Sequence, residues 1–388
     1  MNILLDFIPL MNVGGTGGVG GAASFTKAVC DNVIRQCRPT DKLFATIDSR
    51  LSEGRLYNHV QYAAQHHVQL LDLASETPAA LIGKNNIDTF FIAIGQYYAT
   101  YDLNGITCKT IMFIHDLFDM ERTDNMIDLL LMDKNTEHRW QWFKRCSNLF
   151  IGRWNRNNRQ QYGHIMPLYT APNTIAYTVS DYSRNALNYF FPEIAKDIKV
   201  CYSPMKQSSK EEHVSDEQLR NLITGNHTYL LLLAANRKYK NPKTVLKVFS
   251  RLQAEYPDLY LVTTRYGKTI HPRHIDISHL SESDLEHAYQ HATALVFASF
   301  FEGFGYPPME AMKYGTPVIA SNVTSIPEVL GDAAVYFSPF YPADLYRAYK
   351  QLMSHRKDYQ EKALRRYREI SARQQADLEE LTKQLLTK

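Results

Sequence analysis

Two glutamates, Glu302 and Glu310, stand with seven residues between them in FASFFEGFGYPPMEAMKYGTPVIAS, residues 297–321. The apolar run ALVFAS (294–299) reads as a strand, so Glu302 falls in the loop that follows it. Gly303 and Gly305 leave that loop bare enough for a ligand to approach the backbone. Pro307 and Pro308 suit the first turn of a helix, Glu310 lies near its start, and Gly315 suits its end. Carboxylates bind paired hydroxyls, and a helix N-terminus favours a phosphate. A nucleotide sugar carries both groups. Taken singly, each glutamate is an ordinary helix or loop charge; it is the arrangement that points to a ligand.

A second candidate is the loop MNVGGTGGVGG, residues 11–21, with six glycines between Gly14 and Gly21. Residues 15–20 satisfy G-x-G-x-x-G, the dinucleotide fingerprint. Two features count against that use. Five residues, 9–13, intervene between the first strand and the glycines, and Asp48, which ends the second strand, comes 28 residues after Gly20. The dinucleotide pattern wants the glycines directly after the strand and the acid about 20 residues on. A backbone cradle for a phosphate, or a purely structural loop, are the other readings.

The elements that must position these residues alternate. Residues 2–8, 42–48, 88–95, 109–116 and the start of 176–191 read as strands, with a helix over 22–37 and another after Ser180, its N-cap. The segment 203–218 is polar and without apolar rhythm, a linker. A second series follows: strands at 228–235, 259–264, 294–299 and 316–321, and helices at 242–256 and 281–292, the latter with Ser281 and Asp284 at its N-cap. Strands alternating with helices imply parallel sheets, and ligands of such sheets bind at the carboxyl ends of the strands. The expected fold is therefore α/β, with two doubly wound, Rossmann-like domains facing a central cleft. Residues 1–202 form the first domain, 203–218 the linker, 219–341 the second domain and 342–388 a charged helical tail.

Composition narrows the field. A chain of 388 residues suits two domains, and a net charge of +3 gives no reason to expect nucleic acid as a partner. The five cysteines are scattered, with no C-x-x-C, which fits a reducing, cytoplasmic compartment. Residues 1–6 carry no basic stretch and are broken by Asp6, so they read as a strand rather than a signal peptide. No run of about 18 apolar residues is present.

The stretch around the two glutamates closely resembles the signature of family-4 retaining glycosyltransferases of the GT-B type. Ser299, Glu302-Gly303-Phe304-Gly305, Pro307, Glu310-Ala311-Met312, Gly315, Pro317-Val318-Ile319 and Ser321 match it, as do Pro327-Glu328-Val329 and Gly331-Asp332-Ala333-Ala334. Gly17-Gly18-Val19-Gly20, His115-Asp116, Val179-Ser180-Asp181-Tyr182-Ser183 and Lys240-Asn241 resemble further motifs of that family. The chain departs from it at Gly21 and Ala22, where an Arg-Tyr is usual, and at Val262-Thr263-Thr264-Arg265, where V-G-x-G is common.

The resemblance implies transfer of a sugar from a nucleotide-diphospho-sugar to a saccharide, lipid-linked or protein hydroxyl, with retention and no protein nucleophile. In that case Glu310 would bind the ribose, and Glu302 with the backbone at Gly303, Phe304 and Gly305 would hold the sugar. Arg237 and Lys240 would neutralise the departing diphosphate, and Gly17 and Gly18 would cradle the diphosphate or sugar. His115 would touch the donor sugar and Asp116 the acceptor. No cofactor and no metal are expected; no D-x-D occurs in the chain. The tail would return to the first domain, and the product would be a polysaccharide or glycoconjugate.

Residues 134–160 hold all three tryptophans, seven basic residues and one acid. They suit a peripheral contact with the inner face of the cytoplasmic membrane, a saccharide-stacking surface, or a helix whose tryptophans face the core. Other functions compatible with the architecture are a nucleotide-sugar epimerase, a non-catalytic nucleotide-sugar-binding subunit and an NAD enzyme.

Overall fold

A computed structural model describes residues 1–13, 20–53, 58–124, 153–194, 197–205 and 213–388. The chain divides into two units, one of Met1–Lys206 with Arg373–Lys388 and one of Gln207–Ala372.

Among the described residues of the first unit, seven strands form one parallel sheet. They are β1 (Asn2–Asp6), β2 (Lys42–Ile47), β3 (Gln69–Asp72), β4 (Thr89–Ile92), β5 (Lys109–Phe113), β6 (Thr174–Thr178) and β7 (Lys199–Val200). Their order is β3-β2-β1-β4-β5-β6-β7. Leu4 pairs with Phe44 on one side and Phe90 on the other, all buried. Central strands that are apolar throughout are what a parallel sheet covered on both faces requires.

The second unit repeats the plan with β8 (Tyr229–Leu232), β9 (Tyr260–Thr264), β10 (His274–Ile277), β11 (Ala294–Phe297), β12 (Val318–Ser321) and β13 (Ala334–Phe337). These are all parallel, in the order β10-β9-β8-β11-β12-β13. Each sheet thus reverses its strand order once, between β1 and β4 and between β8 and β11. Such a switch point opens a crevice at the carboxyl ends of the two strands.

Several boundaries differ from expectation for local reasons. The first strand stops at Asp6 rather than residue 8, because the Asp6 carboxylate accepts the Ile8 N–H at 3.0 Å and Pro9 turns the chain into a 3₁₀ turn, Ile8–Leu10. The edge strands β3 and β10, QLLD and HIDI, mix polar and apolar residues and gave no strand signal. The expected linker 203–218 is shorter: Asp216 already caps a helix, Glu217–Thr224, of the second unit. The tail expected from residue 342 also divides. A helix over Pro342–Ser354 and the first half of the long helix Arg356–Leu385 belong to the second unit. Residues from Arg373 onward belong to the first, where Asn32 donates to the Thr382 hydroxyl at 2.7 Å and Lys109 donates to the carbonyls of Gln384 and Thr387 at 2.8 Å. No described helix is long and apolar enough to cross a membrane.

Candidate functional site

The second unit's switch point gathers most of the residues singled out above. After β8, a short 3₁₀ turn, Lys238–Lys240, ends at Asn241, whose backbone is left-handed (φ +58°) and whose side chain donates to the Pro339 carbonyl at 2.9 Å. That turn delivers Lys240, only 8% exposed, to the loop after β11. Its ammonium donates to Glu302 Oε1 at 2.5 Å and lies 4.7 Å from the centre of the Phe297 ring and 5.3 Å from that of Tyr239. Glu302 is fixed from several sides. Ser299 donates to the same oxygen at 2.6 Å, the Glu302 N–H donates to Thr324 Oγ1 at 3.1 Å, and Ser325 donates to the Glu302 carbonyl at 2.9 Å. Lys240 and Glu302, expected to serve phosphate and sugar separately, are thus an ion pair. Arg237 stands apart from this pair; it is exposed and donates to the Tyr239 hydroxyl at 3.1 Å.

Gly303 and the buried Phe304 continue the loop. Gly305 takes φ +102°, and a Cβ there would meet the Phe297 ring at 3.4 Å, so the position favours glycine doubly. The helix that begins here, Tyr306–Met312, is short and places Glu310 in its second half. The partly buried Glu310 carboxylate accepts from the Tyr289 hydroxyl at 2.6 Å. Burial, with the Glu310 charge adding to it, keeps the Tyr289 phenol protonated far above its ordinary range.

In the first unit, His115 and Asp116 directly follow β5. His115 is partly buried, edge-on to Phe25 with 4.6 Å between ring centres. Its Nε2 lies 3.0 Å from the Ala93 carbonyl. A carbonyl only accepts, so Nε2 carries the proton and Nδ1 presents a lone pair. Burial pushes the imidazole down to about 4, which keeps it neutral at pH 7. The Asp116 carboxylate accepts the Phe118 N–H at 3.1 Å, at the start of the helix Phe118–Asp124. Gly17 and Gly18 lie outside the described residues, as do residues 134–152 of the tryptophan-rich segment. Gly20, at φ +143°, is the N-cap of the helix Gly21–Gln36.

Asp48, the residue a dinucleotide site would use for its ribose, is already engaged. Arg50 grips both its oxygens at 2.8 and 2.6 Å and Tyr101 donates at 2.5 Å. The Arg50 bonds lead in drawing the carboxyl down to about 2. Sequence reasoning overlooked Tyr289, Thr324 and Ser325, which stand in segments that read as core helix or plain turn. Asp6 registered only as a break in an apolar run, although a carboxylate closing a buried strand was a usable signal.

Residues 268–371 match the family model "Glycosyl transferases group 1". The O-antigen chain mannosyltransferase B of Escherichia coli is 31% identical over 182 residues, which is 42% of this chain and 47% of that protein. The chain therefore spans about half the length of such a curated relative. Among solved structures, the sucrose-phosphate synthase of Thermosynechococcus elongatus superposes with a TM-score of 0.64 at 13% identity, over 99% of this chain and 98% of that one. HepE of Anabaena, solved with UDP and glucose, gives 0.62 at 13% identity over 99% of both chains. The fold is that of GT-B glycosyltransferases, and residues 268–371 resemble the glycosyl transferases group 1 family.

Proposed function

We propose that the chain is a retaining, metal-independent glycosyltransferase of family 4. It would transfer a sugar from a nucleotide-diphospho-sugar to an acceptor hydroxyl in polysaccharide biosynthesis, on the cytoplasmic side of the membrane. The observation that carries this reading is the fixed Lys240–Glu302 pair at the second sheet's switch point, of which Glu302 lies within the matched residues 268–371 and Lys240 precedes them. The mannosyltransferase name of the Escherichia coli relative makes mannose the first sugar to try.

Each residue has a role in this reading. Glu310, oriented by Tyr289, binds the ribose hydroxyls. Glu302, Gly303, Phe304 and Gly305 hold the sugar. Lys240 moves its charge from Glu302 toward the diphosphate as negative charge grows there, and Arg237 supplies a second cation. A cation fixed at the developing charge lowers the barrier more than it strengthens ground-state binding. His115 accepts a sugar hydroxyl at Nδ1, and Asp116 serves the acceptor. Gly17 and Gly18 cradle the diphosphate, and the segment 134–160 rests against the membrane.

The test is a panel of nucleotide-diphospho-sugars with saccharide and lipid-linked acceptors, with products read by NMR at the anomeric carbon, with and without EDTA. One donor consumed, a new glycosidic bond of retained configuration and no effect of EDTA are expected. A free epimerised sugar nucleotide formed without acceptor would instead identify an epimerase.

A further inference from the structure

At the first sheet's switch point lies a group that the proposed reaction does not itself use. Asp6 ends β1 and is wholly buried. Its carboxyl faces donors on several sides. The Ala93 N–H donates to Oδ2 at 3.0 Å, and the Ile8 N–H and Tyr98 hydroxyl donate to Oδ1 at 3.0 and 2.9 Å. The Thr46 hydroxyl lies 2.7 Å from that of Tyr98 and 3.5 Å from Asp6 Oδ1. An ionised carboxylate only accepts, whereas an asparagine would turn an NH₂ toward these donors. The site is built for a carboxylate.

One residue, Ala93, stands between the carboxyl and the imidazole. Its N–H donates to Asp6 Oδ2 at 3.0 Å, and its carbonyl accepts the proton of His115 Nε2 at 3.0 Å. The charge-assisted bond to the carboxylate holds the Ala93 backbone, and with it the carbonyl that meets His115. Among the described residues nothing bonds His115 Nδ1.

We propose that Asp6 is a positioning residue for sugar transfer: through Ala93 it fixes His115 as the Nε2–H tautomer and so presents Nδ1 as a hydroxyl acceptor. This rests on the reading of His115 as a sugar contact. Burial raises the Asp6 carboxyl to about 7 while its donors oppose that rise. The titratable groups that face it, Tyr98 and Cys30, are both held protonated well above that range by burial and by the Asp6 charge.

The experiment is nitrogen-15 NMR of the imidazole, with the His115 signals identified by their loss in His115→Gln. The wild-type protein at pH 8 is expected to show a protonated Nε2 and a bare Nδ1. In Asp6→Asn that preference should fall roughly tenfold, the difference between a charge-assisted and a neutral hydrogen bond. Transfer kcat should fall with it, while nucleotide affinity stays unchanged. Should Asp6→Asn not fold, the wild-type protein decides alone. The Ala93 amide and the His115 nitrogens must then move together through one midpoint near pH 7. Unaltered His115 nitrogens in folded Asp6→Asn, or separate midpoints in the wild type, would overturn the proposal. Coupled signals in a protein that transfers no sugar would overturn the functional reading instead and leave the relay intact.

Discussion

The two sheets reverse strand order in the same way yet treat charge at the reversal in opposite ways. Between β1 and β4 the charged group is Asp6, wholly enclosed and met by backbone and hydroxyl donors. Between β8 and β11 it is the pair Lys240–Glu302, nearly buried but opposed charge to charge. A lone carboxylate surrounded by N–H and O–H groups has nothing left to offer a ligand, so it can act only through what it holds. An ion pair can exchange one partner for a phosphate. The second unit is therefore suited to bind charge, and the first to orient a neutral side chain.

The sharpest way to break this contrast is Lys240→Ala. It removes the cation proposed to meet the leaving group and leaves Glu302 nearly buried without its charge partner. A fall in kcat of about 10²–10³-fold is expected by analogy with loss of a transition-state donor, together with a stability loss of about 3–5 kcal/mol. The double variant Lys240→Ala/Glu302→Ala should recover much of the stability and none of the activity. Steady-state kinetics and denaturant melts read both.

Glu310→Ala comes next. It should weaken donor binding by roughly tenfold, the value of one charge-assisted bond, measured by calorimetry. Tyr289→Phe should repeat a fraction of that loss.

Stability against pH sharpens the first unit's half of the comparison. Asp6 is raised to about 7 in the folded state, so between about pH 4 and 7 the native protein holds a proton that the unfolded chain has lost. Wild-type stability should therefore decline as pH rises across that window and level off above it. Asp6→Asn should lack this slope, whatever its overall stability. His115 contributes the reverse sign lower down. Its imidazole is depressed to about 4, so the folded protein loses stability as pH falls from about 6.5 toward 4, where the unfolded chain takes up a proton the fold excludes.

The smallest effect belongs to Gly305→Ala. Forcing a side chain into φ +102° beside Phe297 should cost about 1–2 kcal/mol. It should also raise the KM for donor slightly, with the second unit alone perturbed in amide exchange.

The plan of both sheets was readable from the chain because central strands such as LLL and FFI are apolar throughout, and because Ser180 and Ser281 mark helix starts by their side-chain caps. The edge strands were not readable: QLLD and HIDI have no periodicity of their own and become strands only through a neighbour. The second unit's site was legible because its carboxylates, glycines and prolines lie within one short stretch. What was not legible is pairing across distance. Nothing in the spacing of Lys240 and Glu302 says that they touch, and nothing near Tyr289 says that it orients Glu310. Asp6 was visible as a break in an apolar run but its role was not, since its partners Tyr98, Ala93 and Thr46 lie far from it in the chain.

The measurement closest to the central claim is calorimetric titration of the purified protein with UDP, GDP, ADP and NAD, each with and without EDTA, repeated on Lys240→Ala. The account predicts tight binding of one nucleoside diphosphate, indifferent to EDTA and greatly weakened by the substitution. Binding of NAD alone, or of no nucleoside diphosphate, would contradict it.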